Sequence, residues 1–243
     1  MKIKPDISSC GLHILAMVLM LCDHLWATIV PGNDWLTDIG RLAFPIFAFL
    51  IVEGYFHTRD LKKYVLRLLI FALISEIPFN LMLGSRLFYP IHQNVLWTFL
   101  LGIAMIHWNE KAKNAPVWRR ILRAASSVAV GFLVGTLTMV DYLGAGVLTV
   151  LTFYFLRGRK WWHFAGQLIA LYYINAEMLS GFSYQWEIFG HTVWVVRQSF
   201  AVLALIPIRL YRGRQGYHSK AFRWLCYGFY PTHMLLLVLI RML

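Results

Sequence analysis

Acidic residues are scarce in this chain: 11 Asp and Glu among 243 residues, against 23 Lys and Arg. Charged residues make up only 14%, where a soluble domain carries roughly a quarter. Water-facing surface of the ordinary kind is therefore excluded. Cysteine is sparse too. The 3 cysteines, Cys10, Cys22 and Cys226, lie in or near apolar stretches without metal-ligand spacing. They supply neither a disulfide framework nor a zinc site and read as packed thiols. Strand-length alternation of polar and apolar residues is missing, which argues against a β-barrel. Low-complexity tracts, a soluble domain and a clear internal repeat are also missing. The apolar run at 12–30 is long for a signal peptide and has no evident small-x-small cleavage site after it, so a retained first helix is expected.

What the chain has in abundance is hydrophobic sequence. Hydrophobic residues reach 59% and the mean hydropathy is +0.60. The expected fold class is all-α: a polytopic integral membrane helical bundle, one domain over 1–243. At ~20 residues per crossing, about nine apolar segments can be drawn. They run near 9–31, 39–58, 63–83, 92–108, 121–140, 143–157, 161–179, 193–210 and 222–241. The pair 121–140 and 143–157 is joined by no more than a tight turn at Asp141 and Gly144. "GFLVG" at 131–135 is a small-xxx-small helix-packing pattern.

The formal net charge of +12 would suggest nucleic acid in a soluble protein. Here the basic residues fall between apolar segments, so orientation and anionic lipid are the readings, and nucleic acid is not an expected partner. With the N-terminus cytoplasmic, the inner connections carry Arg59, Lys62 and Lys63; Lys111, Lys113, Arg119, Arg120 and Arg123; Arg157, Arg159 and Lys160; and Arg209, Arg212, Arg214, Lys220 and Arg223. The outer ones hold little beyond Arg86 and Arg197. That asymmetry puts the C-terminus outside. Trp26, Trp35, Trp161 and Trp162 sit at segment ends, as interfacial aromatics do.

Ionisable residues inside apolar segments are costly and are functional candidates by default. "MLCDHLW" at 20–26 places Asp23 and His24 side by side. Neighbours on a helix point about 100° apart, so Asp23 is expected to pair with a cation such as Arg41 while His24 projects elsewhere. Arg41 and Glu53 belong to the second segment, Glu76 and Asn80 bracket Pro78, and Asn94 and Thr98 share a face at i, i+4. Gln167, Asn175 and Glu177 fall in the seventh segment and His233 in the last. Alternating direction puts Asp23, His24, Arg41, Glu76, Asn94, Thr98 and His233 in the outer half, which suggests a polar pocket opening outward. A buried ion pair of Arg41 with Glu76 or Asp23 that only specifies packing is the plainer alternative.

The blocks "LMLCDH" (19–24), "GRLAFPIFAFLIVEGYFHTR" (40–59), "YVLRLLIFALISEIPFNL" (64–81), "NVLWTFLLG" (94–102) and "FYPTHMLLL" (229–237) resemble the TraX family. They cover most of 12–102 and the last helix; 110–220 matches in hydropathy alone. TraX proteins acetylate the N-terminus of conjugative pilin and are similar to a broader group of membrane acyltransferases using cytosolic acetyl-coenzyme A. The resemblance therefore implies a multi-pass acetyltransferase of a bacterial cytoplasmic membrane. Acetyl-coenzyme A would be its donor, no metal is expected, and the acceptor would be a protein amine, a glycan or a small molecule. A second copy of the chain is an allowed partner. The histidine late in the first helix is commonly the base in that group, and His24 matches it. The family's Lys before the first apolar run is His13 here, so no phosphate contact is carried to that position.

On this reading His24, Asp23, Arg41, Glu76 and Asn94 are the catalytic candidates, with Asn94, Thr98 or Arg41 stabilising the oxyanion. A covalent acetyl-histidine stays open beside direct transfer. Thr98, Glu53 and His233 are the substrate-binding candidates. Arg59, Lys62, Lys63 and Arg67 would meet the phosphates of coenzyme A, with Arg157, Arg159 and Lys160 as the second choice. The rival class is a proton-coupled transporter using an Asp/His/Glu relay, with helices broken at Pro45 and Pro78.

Overall fold

A computed structural model describes residues 6–243. The chain is a helical membrane protein. Among the described residues, 5 helical stretches are long and apolar enough to cross a bilayer: Ser9–Thr28, Asp34–His57, Leu61–Gly84, Val117–Leu137 and Lys220–Met242. The first is α1. The second is two helices, α2 (Asp34–Gly40) and α3 (Ala43–His57), joined by a bend at Arg41 and Leu42. The others are α4, α6 and α10. Shorter helices fill the remaining segments: α5 (Val95–Glu110), α7 (Leu143–Phe155), α8 (Trp161–Tyr172) and α9 (Leu205–Leu210). Each of the nine apolar segments thus contains helix, but several are below crossing length. With 13 residues, α7 is only about 20 Å long.

Helix starts follow local chemistry. Ser8 caps α1, Asp60 caps α4 by accepting from the Lys63 backbone N–H at 3.0 Å, Asn94 caps α5 and Ser219 caps α10. That N–H contact, with the Lys63 side chain beside it, holds the Asp60 carboxyl below its usual range.

The core gathers on α3 and α7. Ile46, Val52, Val147, Val150, Leu151 and Phe153 are almost wholly buried. By contrast α6 is peripheral, with Leu122, Leu133 and Leu137 exposed as lipid-facing side chains are. The small-xxx-small pattern of α6 faces α7: a Cβ at Gly135 would stand 3.0 Å from Gly144 and one at Gly131 2.9 Å from Val147. The turn between these helices uses left-handed backbone at Met139 and Tyr142.

Two features depart from expectation. The seventh segment ends as a π-helix at Tyr173–Leu179. The eighth begins as strand: β1 (Ser183–Ile188) and β2 (His191–Val196) form an antiparallel hairpin, followed by a 3-10 helix, Arg197–Ala204, that runs into α9. Residues 193–196 are therefore strand rather than helix. Phe189 and Gly190, both at positive φ, make the two-residue turn whose twist suits a hairpin.

Candidate functional site

Helix α10 carries Pro231, which has no N–H to give to the preceding turn. Two residues on, His233 is 5% exposed. Its Nδ1 lies 2.7 Å from the Phe229 carbonyl oxygen. A carbonyl only accepts, so neutral His233 carries its proton on Nδ1 and its Nε2 accepts. His24 Nδ1 stands 2.7 Å from that Nε2. The two ring planes lie within 10° of each other with centroids 4.9 Å apart, as an edge-to-edge N–H···N bond requires. His24 is then the Nδ1–H tautomer, assigned from the bond network, and its Nε2 lone pair has no partner among the described residues. A relay of defined direction runs from α1 to the backbone of α10. An open groove lined by Leu225, Gly228, Phe229, Thr232, His233 and Leu236 adjoins the pair.

Asp23 points away from His24, toward α2 and α3. Its carboxylate accepts from the Arg41 guanidinium and from the Thr37 hydroxyl, the latter at 2.6 Å. Gly40 lets this happen: a Cβ there would come within 2.5 Å of the Asp23 Cβ. Arg41 also donates from Nε to the Thr37 carbonyl at 3.3 Å and from one terminal nitrogen to Gln198 Oε1 at 3.2 Å. Gln198 in turn donates to Asn175 Oδ1 at 3.0 Å, and Asn175 to the Leu171 carbonyl at 2.8 Å. The π-helix and the 3-10 helix thus meet behind Arg41. Tyr142, stacked on Phe44 with centroids 4.1 Å apart, stands beside the guanidinium.

The other outer candidates form a second cluster. Asn94 donates to Glu76 and, at 2.9 Å, to the Ala72 carbonyl. Thr98 donates to the Asp141 carbonyl at 2.6 Å. Arg41 accordingly pairs with Asp23 and not with Glu76. The amide protons of Asn94 and the hydroxyl proton of Thr98 are committed, which removes both as ready oxyanion donors. Of the three, Arg41 keeps an uncommitted N–H, on the terminal nitrogen that meets Gln198.

At the surface of this cluster His92 Nε2 lies 3.1 Å from Asp141. The Asp141 hydrogen bond raises the His92 pKa despite partial burial. A raised folded pKa stabilises below the unfolded value of about 6.5 and ceases to as pH rises through the folded one. The thermal midpoint of the purified protein should therefore fall as pH rises above about 6.5, and the fall should shrink in His92→Gln. Equal pH slopes in both proteins would refute the assignment.

Glu53 does not join these residues. It lies at the opposite end, 2.7 Å from Arg157 Nε and 3.7 Å from His57, apart from the other two substrate-binding candidates, Thr98 and His233. Its partner Arg157 lies over the Phe56 ring at 4.3 Å. Arg159 donates to the Tyr211 and Arg209 carbonyls. Two members of the second basic cluster, Arg157 and Arg159, are thus held by the protein itself. In the first, Lys63 pairs with Asp60 at 3.3 Å; among the described residues Arg59 and Lys62 show no acid partner, and the buried Arg67 Nε has no hydrogen-bond partner. No group of three His, Cys, Asp or Glu gathers as a metal site among the described residues.

A family model described as TraX protein matches residues 8–241. The chain belongs to the TraX family. A relative of this TraX protein, the probable fimbrial assembly protein FimC, serogroup H1, of Dichelobacter nodosus, is 24% identical over 262 residues, covering 98% of the chain and 97% of the relative. No solved structure matches. Gln198 and Thr37 were the functional candidates hardest to see in this TraX sequence. Thr37 lies just before the second apolar segment, and Gln198 is a neutral residue inside the eighth.

Proposed function

We propose that this TraX protein is a membrane-embedded acetyltransferase of a bacterial cytoplasmic membrane, acting in pilin or fimbrial biogenesis. It would move an acetyl group from cytosolic acetyl-coenzyme A to an amine or hydroxyl on the outer side. Nine crossings, with the N-terminus inside and the C-terminus outside, complete the reading. The observation that carries it is the His24–His233 relay with the His24 Nε2 at its end. A base at that atom takes the proton from the acceptor N–H or O–H as the acceptor attacks the thioester carbonyl. Collapse of the tetrahedral adduct breaks the C–S bond, and the thiolate takes that proton back from His24. Acetylated acceptor and free coenzyme A are the products. The uncommitted Arg41 N–H is the donor nearest to hand for the developing oxyanion.

The family membership and the fimbrial name of the relative support the acceptor class. Arg67 supports the donor side, because a buried guanidinium nitrogen without a partner suits a phosphate oxygen. Arg59 and Lys62 stand on the same approach. Purified protein in bilayer discs should bind radiolabelled acetyl-coenzyme A, and Arg67→Glu should raise the dissociation constant by about tenfold or more, the ~1.4 kcal/mol of one lost charge-assisted contact. Binding unchanged by Arg67→Glu would remove that residue from the site. Proton-driven solute uptake into vesicles, with no donor bound, would overturn the enzyme reading in favour of a transporter.

A further inference from the structure

The hairpin after the π-helix has two unlike faces. Cross-strand pairing places Tyr184 opposite Val195, Trp186 opposite Val193 and Ile188 opposite His191. Those pairs share one face because side chains alternate along a strand. Gln185 with Trp194, and Glu187 with Thr192, form the other face, where the Thr192 hydroxyl donates to Glu187 at 2.7 Å. Trp186, Ile188 and Val193 are each about two-fifths exposed, and Phe189 at the turn is 99% exposed. Residues 182–196 hold no Lys or Arg and a single acid, Glu187, on the polar face.

The root of the hairpin is pinned. Tyr184 donates to Asp38 at 2.8 Å, and Arg197 bridges to Asp34 at 2.8 Å and Asp38 at 3.4 Å. Asp34 and Asp38 open the membrane-crossing stretch Asp34–His57. A bilayer boundary at the start of that stretch would pass at the level to which the hairpin is tied. Trp35 and Ile39 on α2 are exposed beside it, and so are Leu203 and Ile206 further along the helix that follows. Six-residue strands reach about 20 Å, so the hairpin either stands up into water with its aromatics bare or lies along the boundary.

We propose that the hairpin lies in the bilayer interface at the α2 end of the bundle, with its Trp186 face on lipid and its Glu187 face on water. Aromatic side chains favour that layer, and an amphipathic element without basic residues fits a neutral headgroup region better than an anionic partner. The arrangement is continuous with the lipid-facing surface of α2. It also ties the membrane to the site, because Arg197 directly precedes Gln198, which holds Arg41.

Quenching by phosphatidylcholine brominated high on its acyl chains tests this in bilayer discs. Trp186→Phe should lower the lipid-quenched fraction of tryptophan fluorescence, because it removes a lipid-facing ring. Trp194→Phe should raise it, because it removes one that faces water. Both positions are exposed, so neither exchange disturbs the core. A rise with Trp186→Phe, as expected if that ring stands in water or under another polypeptide, overturns the proposal. So does an equal change in the two variants.

Discussion

Replacing His24 with Ala should lower acetyl transfer by about 10²–10⁴-fold, the usual contribution of a positioned base. The donor dissociation constant should stay within about twofold, because the basic cluster proposed for coenzyme A lies at the other end of the bundle. His233→Leu should cause a smaller loss. It removes the acceptor that fixes the His24 tautomer, so His24 then spends part of its time with the proton on Nε2 and no base to offer. The check is a single-turnover assay with radiolabelled donor, scored by free coenzyme A and by a 42 Da gain on the acceptor (the mass of an acetyl group less the proton it replaces, by simple chemistry). A folded, donor-binding His24→Ala protein that transfers acetyl at the native rate would sink the base assignment.

The second large effect is on stability. Asp23 and Arg41 are about one-fifth exposed, at 19% and 20%, so each depends on the other for charge compensation. Arg41→Ala leaves the Asp23 carboxylate with the Thr37 hydroxyl as its remaining partner, and it leaves Gln198 without a donor. Breaking a buried pair costs roughly 3–5 kcal/mol; partial exposure puts the expectation near the lower end, about 3 kcal/mol. Asp23→Ala should cost a similar amount. The double variant Asp23→Leu with Arg41→Met should recover much of either loss, because no charge is then left alone. Thermal unfolding in detergent reads all four proteins. A double variant no more stable than the worse single one would show that the pair matters for shape and not for charge.

How much of this was legible differs from residue to residue. The divergence of Asp23 and His24 could be read from helix geometry alone, and Arg41 was the expected cation. The choice of Asp23 over Glu76 was not legible, since both acids lie at similar depth and the decision rests on α1 packing against α2 through Gly40. Asn94 and Thr98 do share a face, yet what that face meets, Glu76 and the Asp141 carbonyl, leaves them without free donors. Strand-length alternation, expected to be missing, is present once, in Tyr184, Gln185, Trp186, Glu187 and Ile188 of the hairpin. The β-branched run at 193–196 was absorbed into the apolar total of a longer segment, because hydropathy sums do not distinguish strand from helix.

Membrane residence and most of the helical elements were determined by the sequence, because each is a local sum over about 20 residues against the thickness of a bilayer. Partners were decided by the tertiary structure. His24 and His233 are 209 positions apart, and Arg41 and Gln198 are 157 apart. A hydrogen bond needs two atoms within about 3 Å, a condition set by how α1, α10, the bend between α2 and α3 and the 3-10 helix pack and by no property of the segments taken singly. For the same reason Glu53, an acid inside an apolar helix like the others, stands apart from them: its partner in space is Arg157, at the far end of the bundle.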